Sequence, residues 1–216
     1  MDIKYLVIHT AAYQGRNCDA DTIDEWHRNK GWNGIGYHYV ILNDKHDSKP
    51  DGKIEKGRDD SVNGAHAYGI NQMSLGICCI GHGDHEDFTP AQYENLYLLL
   101  AKLCHKYQVS TDNIIGHREL NSLVNRGLLG DQYRTAKSCP GHKINMNQIR
   151  QTLSKKLLRE EPLDEVNNTS MHLNNKAQVI EAINVLKEHK GQFTNARDEL
   201  IQFLYHPEII ELIAEK

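Results

Sequence analysis

The stretch Leu75 to Ile80, LGICCI, carries no polar side chain and stops at Gly81. A run that short and that apolar suits a central strand, buried on both faces. Tyr5 to Thr10 (YLVIHT) reads the same way. Tyr37 to Leu42 (YHYVIL) is rich in strand formers, and Ile54 to Arg58 reads as its return strand across a polar turn at Asn43 to Gly52. Ile114 and Ile115 form one more short strand. Between these runs lie helical patterns. Asp19 or Asp21 can cap a helix carrying Ile23, Trp26 and Lys30 that stops at Gly31. Thr89 and Pro90 open a long helix with Tyr93, Leu96, Leu99, Leu100, Leu103 and Tyr107 at helical spacing. Alternating strands and helices predict an α/β domain with a mixed central sheet flanked by helices.

The composition changes near residue 155. Residues 1–155 are expected to form the main domain and 156–172, polar and acidic around Pro162, a linker. Residues 173–216 are expected to form a small helical appendage, with Val179, Ile183 and Leu186 on one helix face and Leu200, Phe203 and Leu204 on another. Such a tail has little core of its own, so it should pack on the main domain or on a protein partner.

The net charge of -4 argues against nucleic acid as the main partner. The apolar stretch LYLLLAKLC is too short to insert in a membrane. The N-terminus reads as a strand, not a secretory signal, so synthesis in a cytoplasm is expected. Nothing in the pattern calls for an oligomer, and a monomer is expected. Five cysteines without a signal do not suggest a disulfide framework. Cys78, Cys79 and Cys104 read as small core residues, whereas Cys139 sits in a polar turn beside Pro140 and Gly141.

Three residues carry the chemistry: His9 at a strand end, His117 in IIGHREL and Cys139 in AKSCPGH, with Lys137 two residues before the cysteine. Each alone is ordinary. Together, two imidazoles and a thiolate form a donor set suited to Zn2+, with the fourth position left for water. His66 also falls in this group, and all three histidines are placed at or just after strand ends. Other signals read blandly: His82 and His85 as a solvated loop, and Arg58, Asp59 and Asp60 as a surface charge cluster.

The stretches VIHTAA, IDEWHRNKGWNGIGYHYVI, GAHAYGINQMSLGICCIG, FTPAQYENLYLLLAKL, IIGHREL and AKSCPGHKI occur in the order found in zinc-dependent N-acetylmuramoyl-L-alanine amidases. The chain resembles this family over roughly residues 1–150. Its fold is shared with peptidoglycan-recognition proteins, and within it the chain is most similar to the amidase-type lysozymes of tailed bacteriophages. The resemblance implies that His9, His117 and Cys139 hold one zinc ion. It further implies that Tyr37 is the active-site tyrosine, Lys137 the catalytic lysine, and His66 a residue lining the cleft. It implies a peptidoglycan substrate and an endolysin that reaches the cell wall after release. Alternatives are a recognition protein without activity, or an effector delivered into rival bacteria. Retention of all three ligands with Tyr37 and Lys137 favours catalysis. The segment NSLVNRGLLGDQYRT, between His117 and Cys139, is longer than in the compact phage enzymes, and it is expected to form a loop or short helix beside the cleft.

Overall fold

The computed structural model describes residues 2–160. The expected appendage at 173–216, and the expected linker beyond residue 160, lie outside the described residues. Five strands, β1 (Tyr5–Thr10), β2 (Tyr39–Ile41), β3 (Ile54–Lys56), β4 (Ser74–Cys79) and β5 (Ile114–Gly116), form one sheet in the order β3-β2-β4-β1-β5. Pairing is parallel except between β2 and β3, so the sheet is mixed as expected. The continuous apolar run at 75–80 is β4, and β1 lies beside it. The strand expected from Tyr37 begins at Tyr39. Tyr37 and His38 still bond across to Arg58 and Gly57 through their carbonyls, so they continue the pairing without regular strand geometry.

Four helices complete the domain: α1 (Ala20–Asn29), α2 (Pro90–Tyr107), α3 (Leu120–Asn125) and α4 (Met146–Glu160). The Asp19 carboxylate caps α1 by accepting from the Thr22 amide at 2.9 Å. Thr89 caps α2 in a reciprocal box with Gln92. Gln92 is buried, and its Nε2 donates to the carbonyls of Ile41 and Ile80, which ties the start of α2 to the ends of β2 and β4. Helix α4 was not evident from the pattern. It runs to Glu160, past the domain boundary expected at residue 155.

The sheet faces are covered differently, and this creates the site. Leu6, Ile8, Ile41, Leu75 and Ile77 pack on Leu96, Leu100 and Leu103 of α2 and Ile149 and Leu153 of α4 in one continuous core. Each fully buried leucine there is worth about 1.5–3 kcal/mol. The other face carries two separate clusters. Val40, Leu42 and Cys78 meet Ile23 of α1, whereas Val7 and Ile115 meet Leu120 and Leu123 of α3. Side chains alternate along a strand, so His9 follows Val7 onto this divided face.

Asp60 corrects the expectation of a surface charge cluster. It is buried and accepts from the Tyr39 and Tyr107 hydroxyls and from Lys56 and Lys106. No helix among the described residues is long and apolar enough to cross a membrane.

Candidate active site

His9 and His117 come from the ends of neighbouring strands, since β1 and β5 are parallel and adjacent. Cys139 arrives from a loop. The three donor atoms lie within 4.8 Å of one another. His9 Nδ1 is 3.2 Å from His117 Nδ1 and 3.5 Å from Cys139 Sγ. For a tetrahedral ion with bonds of roughly 2.0–2.1 Å to nitrogen and roughly 2.3 Å to sulfur, two nitrogens stand about 3.3 Å apart. A nitrogen and a sulfur then stand about 3.6 Å apart. The residues present therefore fit a small N/N/S-bound metal. His9 is 1% exposed, and burial, then the neighbouring His66, His117 and Lys137, hold its pKa well below the ordinary value. Burial and Lys137 lower His117 to about 4. Both imidazoles are thus neutral at neutral pH, the form that donates to a metal. Burial raises the Cys139 thiol against the lowering pull of Thr10, Lys137 and Arg118.

The cysteine loop is held by residues that sequence reading passed over. The Arg118 amide donates to the Cys139 carbonyl at 2.7 Å. Its guanidinium donates to the carbonyls of Ser138, Gly141 and Ile144 at 3.2, 2.6 and 2.8 Å. Asp84 accepts from the Ser138 hydroxyl and the His142 amide, and the Thr10 hydroxyl donates to the Pro140 carbonyl. Gly83 lets the loop approach, because a Cβ there would stand 1.8 Å from the Pro140 oxygen. Arg118 follows His117 directly in the chain, which was the available signal; its targets are backbone carbonyls and leave no trace in a sequence.

Tyr37 lies beside His9, its ring centroid 5.1 Å from that of the imidazole. Burial, with Cys78 and Cys139 nearby, holds its phenol well above the usual value, so it is a neutral donor. Lys137 is exposed at the cleft and makes no ion pair with the described residues. His66 is in a loop between β3 and β4, not at a strand end as expected. It lines the cleft but is only 8% exposed, with Nδ1 3.1 Å from His9 Nε2.

The cleft holds about 370 Å³ and is lined by Trp32, His66, Tyr68, His117, Tyr133 and Lys137 among others, with no carboxylate among the described residues of its wall. The long segment after His117 forms α3 and a 3-10 turn at Asp131–Tyr133, and it supplies Gln132, Tyr133 and Arg134 to that wall. The Tyr133 ring packs 5.1 Å from Tyr68, which is 74% exposed. The His82 and His85 rings meet at a tilt, their centroids 4.4 Å apart, and the metal-type cluster among the described residues is that of His9, His117 and Cys139.

Residues 1–142 match the family described as N-acetylmuramoyl-L-alanine amidase. The chain belongs to that family. The endolysin of Escherichia phage T7 is 37% identical over 109 residues, covering 48% of this chain and 68% of the phage protein. The peptidoglycan-recognition protein SC2 of Drosophila melanogaster is 30% identical over 158 residues, 68% of this chain and 73% of the fly protein. Among solved structures, the N-acetylmuramoyl-L-alanine amidase LysC from Clostridium intestinale superposes with a TM-score of 0.57 at 28% identity, covering 71% of this chain and 86% of that one. The fold is that of these amidases, and the chain is an enzyme of the amidase class.

Proposed function

We propose that the chain is a zinc-dependent endolysin that cuts the amide between N-acetylmuramic acid and the L-alanine of the peptidoglycan stem. The observation that carries this reading is the His9–His117–Cys139 cluster, with the two spacings from His9 near tetrahedral edges and His117 opening onto the cleft. His9 and His117 would hold the metal through Nδ1 and Cys139 through Sγ. When bound, zinc supplies a Lewis acid and a water whose pKa falls to about 7.

The remaining chemistry belongs to the chain. An amide carbonyl gains negative charge as it becomes tetrahedral, and stabilising that charge lowers the barrier most. Lys137 carries an ammonium at the cleft beside His9 and His117, with no carboxylate among the described residues of the wall to neutralise it. In this reading it would meet the oxyanion. Tyr37 offers a phenol hydrogen from the β2 side of the cluster, and its high pKa keeps that hydrogen in place. The wall formed by Trp32, Tyr68 and Tyr133 gives flat apolar surfaces on which sugar and peptide can lie. The enzyme would act on the cell wall.

Purified peptidoglycan should be digested with wild type, chelator-treated protein and Cys139→Ala, and the products read by mass spectrometry. Stem peptides with a free L-alanine amino group are expected from wild type alone. Glycan retention without cleavage, in protein that has taken up zinc, would move the chain to the recognition class.

A further inference from the structure

The geometry points to His66 as a positioning residue that fixes the tautomer and ring orientation of His9, a role that rests on the zinc reading above. His9 turns Nδ1 towards both His117 Nδ1 and Cys139 Sγ. For Nδ1 to donate its lone pair to a metal, the ring hydrogen must sit on Nε2. That atom is 3.1 Å from His66 Nδ1. A metal-bound imidazole is held in its tautomer by an acceptor on its other nitrogen, usually a carboxylate or a carbonyl. Here the acceptor is a second imidazole.

His38, the next histidine along, cannot take this part. Its Nδ1 accepts from the Gly76 amide at 2.9 Å, and its Nε2 faces the Val62 carbonyl at 3.0 Å. Accepting through Nδ1 places the His66 hydrogen on Nε2, which makes no hydrogen bond of full geometry among the described residues, with the Ser74 backbone nearby.

The chain builds a seat for this ring. Gly76 sits in the middle of β4, on the face shared by Val7 and His9, and a Cβ there would stand 2.5 Å from His66 Cγ. A Cβ on Gly64 would stand 2.3 Å from His66 Cδ2. Two glycines thus clear the volume that the imidazole fills. Asn71 fixes the backbone below it, its Oδ1 accepting from the His66 and Ala67 amides at 2.9 Å each. A small ring in a tight seat with one nitrogen aimed at His9 is the arrangement an orienting partner needs.

The test compares His66→Phe, which keeps a ring without an acceptor, with His66→Asn, whose Oδ1 replaces the Nδ1 acceptor in less volume, and with His66→Ala. Two readouts are taken: zinc affinity by competition with a chromophoric chelator, and the His9 tautomer in metal-free protein by long-range ¹H–¹⁵N spectra. The His9 Nε2–H tautomer is expected in wild type and in His66→Asn, and a mixture in His66→Phe and His66→Ala. Zinc affinity should fall about 10–100-fold in the Phe and Ala variants and recover in His66→Asn. A space-filling role predicts the opposite order, with Phe retaining affinity and Asn losing it, and that order would overturn the proposal. So would an Nδ1–H tautomer of His9 in the wild type. Failure of the wild type to bind zinc would instead sink the zinc reading, while the tautomer spectra would still decide the part played by His66.

Discussion

Replacing Arg118 with methionine should loosen the cysteine loop while leaving the sheet intact. The guanidinium makes three hydrogen bonds to the carbonyls of Ser138, Gly141 and Ile144, and the backbone bond from its amide to Cys139 survives the change. Hydrogen bonds from a charged donor contribute about 1.5–3 kcal/mol each. Arg118 is half-buried, so water reaches part of the vacated space and a simple sum overstates the loss. A net destabilisation of about 3–4 kcal/mol is expected, a large part of the roughly 5–15 kcal/mol that holds a domain together. Lysine keeps the charge but cannot span three carbonyls, so Arg118→Lys should recover only a fraction. Urea unfolding of metal-free protein measures the stability, and chelator competition measures zinc affinity, which should fall with it. A loss below about 1 kcal/mol, with zinc affinity unchanged, would refute the view that this fan of bonds holds Cys139 in place.

Three further outcomes are expected. Lys137→Ala should lower kcat about 100- to 1,000-fold, with bound zinc and KM little changed, in steady-state assays on a soluble muramyl peptide. Tyr133→Ala should raise KM about 3- to 10-fold without lowering kcat, because it removes one aromatic surface of the cleft wall and none of the cluster. Asp60 sets a stability–pH dependence. Burial opposes its ionisation, but Lys56, Tyr107, Tyr39 and Lys106 outweigh burial and hold its folded pKa below the unfolded value. Its contribution is therefore complete above the unfolded pKa of about 3.9 and is lost as pH falls from there through the folded value. Urea midpoints measured between pH 6 and pH 2.5 should drop in wild type, and Asp60→Asn should be less stable at pH 6 with a flatter profile.

Much of the fold is legible in short patterns. An apolar run such as LGICCI cannot stand at a sheet edge, and Thr89 with Pro90 marks a helix start because cap and fixed φ act locally. Helix α4 escaped notice because its buried positions, Met146, Ile149 and Leu153, with the half-buried Leu157, are diluted by polar residues and acquire meaning only against α2. Asp60 misled for a related reason: a carboxylate beside Arg58 and Asp59 looks solvated until Tyr39 and Tyr107, distant in the chain, close over it. The long segment after His117 announced its presence by length, and its place in the cleft wall came from α3 packing on Val7 and Ile115.

The sequence by itself determined most of the element types, the central position of β4 and the candidate donors His9, His117 and Cys139, because periodicity, caps and donor types are properties of neighbouring residues. Only the tertiary structure decided which nitrogen of His9 faces His117 and Cys139, that His66 takes the other nitrogen through room left by Gly64 and Gly76, and that Arg118 holds the cysteine loop. These are contacts among residues 57 to 130 positions apart, or to backbone carbonyls. They depend on strand register and on the gap between two apolar clusters on one sheet face, and neither is written in any local pattern.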